Sequence, residues 1–219
     1  MYLDHSLKTI SVYGVSHRNG SPTSNVHQTS RPQRTRHEGV VCTLITTVKP
    51  LSPFLPIFLT SHSWDTLYQR DLQNHSNDED DEGTIWFDES NAEETVIREL
   101  DKLANKGLLD KENATFLDLG TGNGHMLFAL RETGHEDDEE DGEAEGEVSG
   151  WRGEMVGVDY SAASIDLAKR IAAQRHDRDA ASSDPITFET WDLLTEPPDP
   201  SWPPFDVVPD KGTFDAISL

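Results

Sequence analysis

The stretch Asp118-Leu119-Gly120-Thr121-Gly122-Asn123-Gly124 has the composition and spacing of a turn that holds a small ligand. Glycine at alternate positions lets the chain turn tightly and brings its backbone close to a bound molecule. A helix starting just after such a turn aims free N–H groups and the positive end of its dipole into the same space. These properties suit many nucleotides, and spacing and charge narrow the choice. Dinucleotide enzymes space their glycines as GxGxxG, whereas here the third glycine comes one residue early and is followed by His125. An acid just ahead of the turn, Asp118, would repel a pyrophosphate and attract the ammonium and sulfonium of a ligand such as S-adenosylmethionine.

Two further acids fall where such a ligand needs them. A ribose-binding carboxylate is expected about 20 residues after the glycine turn. Asp159 lies 35 residues after Gly124, and excising the 15-residue acidic insertion Glu136–Gly150 leaves 20. A carboxylate there can accept hydrogen bonds from both ribose hydroxyls, and Asp192 is similarly placed for an adenine amine. Taken one at a time, each acid has a plainer reading. Asp118 could cap a helix, Asp159 could cap the helix starting near Ser161, and Asp192 could be a loop residue. Their order and their common placement after apolar runs favour the ligand reading.

Elements able to position these residues follow from hydropathy. Ser90 with Glu93 reads as a capping box, followed by Val96, Ile97, Leu100, Leu103 and Ala104 on one helical face and by Gly107. Thr115–Leu119 is predicted as a strand, and a short helix carrying Met126, Leu127 and Leu130 follows the glycine turn. Met155–Asp159 is a second strand, and Ser161 caps a helix with Ile165, Ala168 and Ala172 inward. Ile186–Asp192 and Phe205–Val208 complete four strands. Strands alternating with helices predict an α/β fold with a parallel sheet, helices on both faces and ligands at the carboxyl ends of the strands.

The 41 acidic and 18 basic residues give a net charge of −23, which excludes an electrostatic grip on DNA or RNA and suits a basic or lysine-rich partner. Residues 1–63 differ from the rest. Six basic residues against Asp4 and Glu38 make this segment +4 and leave −27 for the remainder. It is rich in Ser, Thr, Pro and His without sustained periodicity, so it is expected to be disordered, with a domain over residues 64–219. Its apolar stretch Val40–Thr60 contains Lys49 and three prolines and is read as non-spanning. The single cysteine, Cys42, and the lack of a signal peptide point to a reducing, cytoplasmic setting. The acidic runs Asp78–Glu82 and Glu136–Glu147 read as solvated loops. Neither has the alternating ligands and glycine turn of a calcium site, so no metal is expected.

Phe116–Met126 (FLDLGTGNGHM), Val156–Ser161 (VGVDYS) and Trp191–Leu194 (WDLL) resemble the first three cofactor motifs of seven-stranded class I methyltransferases. Pro209–Leu219 (PDKGTFDAISL), Ser63–Leu72 (SWDTLYQRDL) and Gly83–Ser90 (GTIWFDES) resemble the elongation factor 1-alpha lysine methyltransferases of fungi and animals. That resemblance implies a Rossmann-like class I fold, S-adenosyl-L-methionine as cofactor and elongation factor 1-alpha as protein substrate of a monomeric enzyme. It implies that Asp118, Gly120, Thr121, Gly122, Asn123 and Gly124 hold the methionine end, Asp159 the ribose, and Asp192 with Leu193 the adenine, with Tyr160 also in the cofactor pocket. Asp210 and Lys211 would sit beside the acceptor lysine, and Trp86 and Phe87 in an N-terminal flap, although plain core packing accounts for those aromatics equally well. The resemblance also implies three more strands after Leu219, so the chain is expected to be a C-terminally truncated fragment whose fourth strand leaves an open sheet edge.

Overall fold

The computed structural model describes residues 11–12, 42–45, 61–86, 91–132, 150–178 and 186–214. The elements, in chain order, are β1 (Ser11–Val12), β2 (Cys42–Ile45), α1 (Ser61–Asn77), α2 (Ala92–Asn105), β3 (Phe116–Leu119), α3 (His125–Glu132), β4 (Met155–Asp159), α4 (Ala162–Arg178), β5 (Ile186–Thr190) and β6 (Val207–Asp210). They form one sheet in the order β1-β2-β6-β3-β4-β5, parallel throughout except for the antiparallel β1–β2 pair.

The centre of the sheet follows its sequence. Met155 and Val156 of β4 point to opposite faces, as the two-residue period requires, and enter different cores. On one face Phe116, Met155, Phe188 and Val207 pack with Val96, Ile97 and Leu100 of α2, Met126, Leu127 and Leu130 of α3, and Ile165, Leu167 and Ala168 of α4. Phe116 and Trp151, both fully buried, meet edge to face at 5.2 Å. On the other face Leu117, Val156 and Val158 are covered by Trp191, Trp202 and Phe205. Among the described residues that second cover is an aromatic loop and not a helix, although the α/β class itself is as expected.

Two expectations need correction, and a third, the capping box, falls on Ser90, which lies outside the described residues; the N-cap position of α2 is Asn91, left-handed at φ 51° with no side-chain cap bond. The fourth strand runs through Val207–Asp210, two residues later than Phe205–Val208. Asp206 sets its start by accepting hydrogen bonds from the Thr115 backbone N–H (2.9 Å) and hydroxyl (3.0 Å). Pro209, which has no N–H for a ladder, hides the strand in the sequence. Finally, the outer edge of β6 is not open. Cys42–Ile45 pair with Val207–Asp210 in parallel register and Ser11–Val12 pair with Cys42 and Thr43, so six residues of the segment expected to be disordered belong to the sheet.

Candidate cofactor and acceptor site

All four acids singled out above lie at the carboxyl ends of adjacent parallel strands. Asp118 is the third residue of β3, Asp159 ends β4, Asp192 lies two residues beyond β5, and Asp210 ends β6. Ile186–Asp192 is thus shorter as a strand than expected, although the Trp191 N–H still donates to the Asp159 carbonyl at 2.9 Å.

The glycine turn is strongly curled: Gly120, Gly122 and Gly124 have φ of +66°, +59° and +84°. Its centre is held at both ends of one residue. The Gly122 N–H donates to the Asp159 carboxylate at 3.1 Å, and the Ser164 hydroxyl donates to the Gly122 carbonyl at 2.7 Å. The other Asp159 oxygen accepts the Ser161 N–H at 2.9 Å, so part of the plainer reading also holds: Asp159 organises the start of α4. Ser164, fully buried, was not read as a site residue because a serine in the first turn of a helix gives no sign of a partner 42 residues away.

A roof covers the turn. Tyr68 of α1 is buried, and its hydroxyl comes so close to Gly122 that a Cβ there would lie 2.7 Å from it. Tyr68 stacks with Trp64 (6.4 Å), and Trp64 meets Trp86 edge to face (4.5 Å). Trp86 therefore belongs to an aromatic cluster beside the turn, whereas Phe87 lies outside the described residues. The Asn123 amide donates to the Glu82 carbonyl at 2.9 Å, and Glu82 pairs with Arg175 of α4 at 3.0 and 2.5 Å. The acidic run Asp78–Glu82 is therefore solvated only in part: Asp78, Glu79 and Asp80 are exposed, but Glu82 ties the roof to the turn and to α4. The second run, Glu136–Glu147, lies outside the described residues.

The residues expected on the acceptor side, Asp210 and Lys211, lie at the turn after β6. The Asp210 carboxylate accepts the N–H groups of Thr213 (2.8 Å) and Phe214 (3.1 Å), and the Thr213 hydroxyl donates to the Leu119 carbonyl (2.8 Å). Thr213 thereby rests on Gly120, where any Cβ would lie 1.9 Å from its Oγ1. Lys211 Nζ donates to the Trp86 carbonyl (3.1 Å) and lies 3.4 Å from Glu93 Oε2, which is also 2.9 Å from His125 Nδ1. In the sequence alone Glu93 offers only the role of a cap partner.

Electrostatics fit a cationic ligand. Burial pushes the Asp118 carboxyl up to about 7, against the Thr121 hydroxyl and the Lys211 ammonium, which favour the charged form. Asp159 is also raised by burial, opposed by the Ser161 and Gly122 amides. An acid held near neutrality gains its charge when a cation is placed against it. Asp192 is solvated. Its carboxyl is held low by the Thr195 hydroxyl (2.7 Å) and the Leu194 N–H (3.0 Å), so it already caps its own turn. Tyr160 is 37% exposed at the rim, next to Asp159.

A curled glycine turn, an acid behind it and another on the neighbouring strand describe a methyltransferase domain, and residues 110–219 match the methyltransferase domain family. The chain belongs to that family, and S-adenosylmethionine is its cofactor. It is similar to protein-lysine N-methyltransferase EFM4 of Saccharomyces cerevisiae, 38% identical over 73% of this chain and 59% of that one. Similarity to efm4 of Schizosaccharomyces pombe is 40% over 73% and 60%, and to human EEF1A lysine methyltransferase 2 is 34% over 76% and 57%. The chain thus spans about three fifths of the length of these relatives. Among the described residues no helix is long and apolar enough to cross a membrane.

Replacing Asp159 with Ala is expected to weaken binding of S-adenosylhomocysteine by about 1.5–3 kcal/mol, the range for hydrogen bonds to a charged group. Unchanged affinity in a calorimetric titration would remove Asp159 from the cofactor site.

Proposed function

We propose that this chain carries the catalytic machinery of a protein-lysine N-methyltransferase acting on elongation factor 1-alpha, as a monomer in the cytoplasm, with residues 64–219 as the main body of its domain and β1 and β2 added at the sheet edge. The observation that carries this reading is the joint between the two half-sites: Thr213, in the turn capped by Asp210, is hydrogen-bonded to Leu119 at the mouth of the glycine turn. The acceptor segment is thereby fixed against the cofactor segment, as a transfer between two bound partners requires. The printed names of the similar proteins support the substrate.

The cofactor supplies an electrophilic methyl group on a sulfonium sulfur. In this reading Asp118 and the curled turn bind its methionine end, Asp159 and Tyr160 the ribose, and Asp192 with Leu193 the adenine. Free lysine amine has a pKa of about 10.4, so the site must exclude water and favour the neutral amine before it attacks. In this reading Asp210, its carboxylate set by the backbone of its own turn, orients that amine. The proton leaves to water.

Titration with S-adenosylhomocysteine and, separately, NAD tests the cofactor; incubation with labelled S-adenosylmethionine and purified elongation factor 1-alpha tests the substrate. Binding of the first ligand alone and a labelled lysine are expected. Binding without label would move the acceptor to another molecule.

A further inference from the structure

We propose that Glu93 is a positioning residue of the acceptor side: it anchors Lys211 at the edge of the cleft through which the substrate lysine enters. This rests on the lysine-methyltransferase reading above. Beside the roof lies a cleft of ≈ 140 Å³ whose lining includes Ile85, Trp86, Asn91, Glu93, Glu94 and Lys211. An aromatic ring, an aliphatic side chain and two carboxylates suit an unbranched cationic side chain, whose stem is apolar and whose head is charged. Glu94, with its side chain 59% exposed, offers the entering cation an accessible carboxylate.

Glu93 has a different task. Its Oε2 is shared by Lys211 Nζ, from the turn after β6, and His125 Nδ1, from the first residue of α3. Burial works against its charge, but His125 and Lys211 prevail and hold its carboxyl below the usual glutamate range. The Trp86 carbonyl is the second anchor for Lys211, whose side chain is only 14% exposed. Glu93, Asp118, the adjoining Asp210 and, in the lining of the same cleft, Glu94 are acids around this ammonium. Held between α2 and the roof, the Lys211 ammonium is a fixed positive charge. A second ammonium arriving beside it is disfavoured relative to the neutral amine, the form that attacks. Without Glu93 the Lys211 side chain loses an anchor and its charge is no longer fixed.

Two measurements on the 219-residue chain test this, one of them independent of turnover. Amine acetylation with acetic anhydride, read residue by residue by mass spectrometry, is expected to modify Lys211 about fivefold faster in Glu93→Gln than in wild type, since reaction follows exposure of the anchored amine. The other lysines should be unchanged. With elongation factor 1-alpha as substrate, Glu93→Gln is expected to lower kcat about tenfold, with affinity for S-adenosylhomocysteine within about twofold. Lys211→Met should lower kcat likewise and shift the rising limb of the rate to higher pH, and adding Glu93→Gln to it should change little. Unaltered Lys211 labelling, additive effects of the two substitutions or a parallel loss of cofactor affinity overturns the proposal. A wild-type chain that labels no elongation factor 1-alpha instead defeats the substrate reading, and the acetylation result still decides whether Glu93 anchors Lys211.

Discussion

Asp118→Asn is expected to stabilise the ligand-free protein at pH 8 and to impair its cofactor binding. The carboxyl is 3% exposed, and burial raises its pKa from an ordinary 3.8 to about 7. Between those two values the folded state binds more protons than the unfolded chain, so this group's contribution to stability falls as pH rises through the window. A difference of that size corresponds to about 4 kcal/mol, fully lost above pH 7. Asparagine cannot ionise, so the gap in unfolding free energy between variant and wild type should widen in favour of the variant from pH 4 to pH 7 and then level. Taking the difference cancels the opposite contribution of Glu93, whose lowered pKa favours folding as pH rises. Urea unfolding at four pH values measures it, and a gap independent of pH would show that Asp118 does not titrate in this window. Binding should respond in the opposite sense. A cationic ligand draws the carboxyl into its charged form, so wild-type binding near pH 6.5 should release protons, detectable as a calorimetric enthalpy that varies with the buffer. Asp118→Asn should release fewer and bind more weakly.

What could be read from the sequence was whatever is encoded locally. Asp118, the three alternating glycines and Asp159 belong to strand ends and turns, where hydropathy period and glycine spacing constrain the backbone within a few residues. The same holds for α4, whose start at Ser161 and buried Ile165 and Ala168 match the pattern. Partners brought together by the fold were not legible. Glu93 finds His125 at a separation of 32 residues and Lys211 at 118, and its position in a first turn offered a complete local explanation. Tyr68 meets Gly122 only because α1 lies across the glycine turn. β2 has four residues inside the apolar stretch Val40–Thr60, too few to impose a period.

Gly124→Ala is expected to cost about 2–5 kcal/mol of stability and, with it, the cofactor site. About 1–2 kcal/mol follows from placing an L side chain in the left-handed region, since Gly124 has φ +84°. The rest is overpacking, typically about 1–3 kcal/mol. The new Cβ would lie 2.7 Å from Phe188 Cζ and 3.0 Å from Phe128 Cε2. Neither ring has room to withdraw. Phe188 is 2% exposed and meets Phe128 edge to face at 5.7 Å, and the Arg175 guanidinium lies 4.6 Å from the centre of the Phe128 ring. The same ring presses on Gly157, where a Cβ would also lie 2.7 Å away. One aromatic ring thus fills a slot lined by a glycine of the turn and a glycine of β4, so the curl of the turn is set by the core beneath it. Gly107→Ala is the control: its φ is +68°, but nothing lies within 4 Å of the added Cβ, so it should lose only the backbone part. Thermal unfolding of both variants separates strain from packing, and equal losses would mean that Phe188 yields. If the slot is rigid, Phe188→Leu placed on Gly124→Ala should recover part of the stability and of the S-adenosylhomocysteine affinity, although the same change alone in wild type leaves a void and destabilises. Such a reversal of sign requires contact between the two side chains, and simple additivity would exclude it.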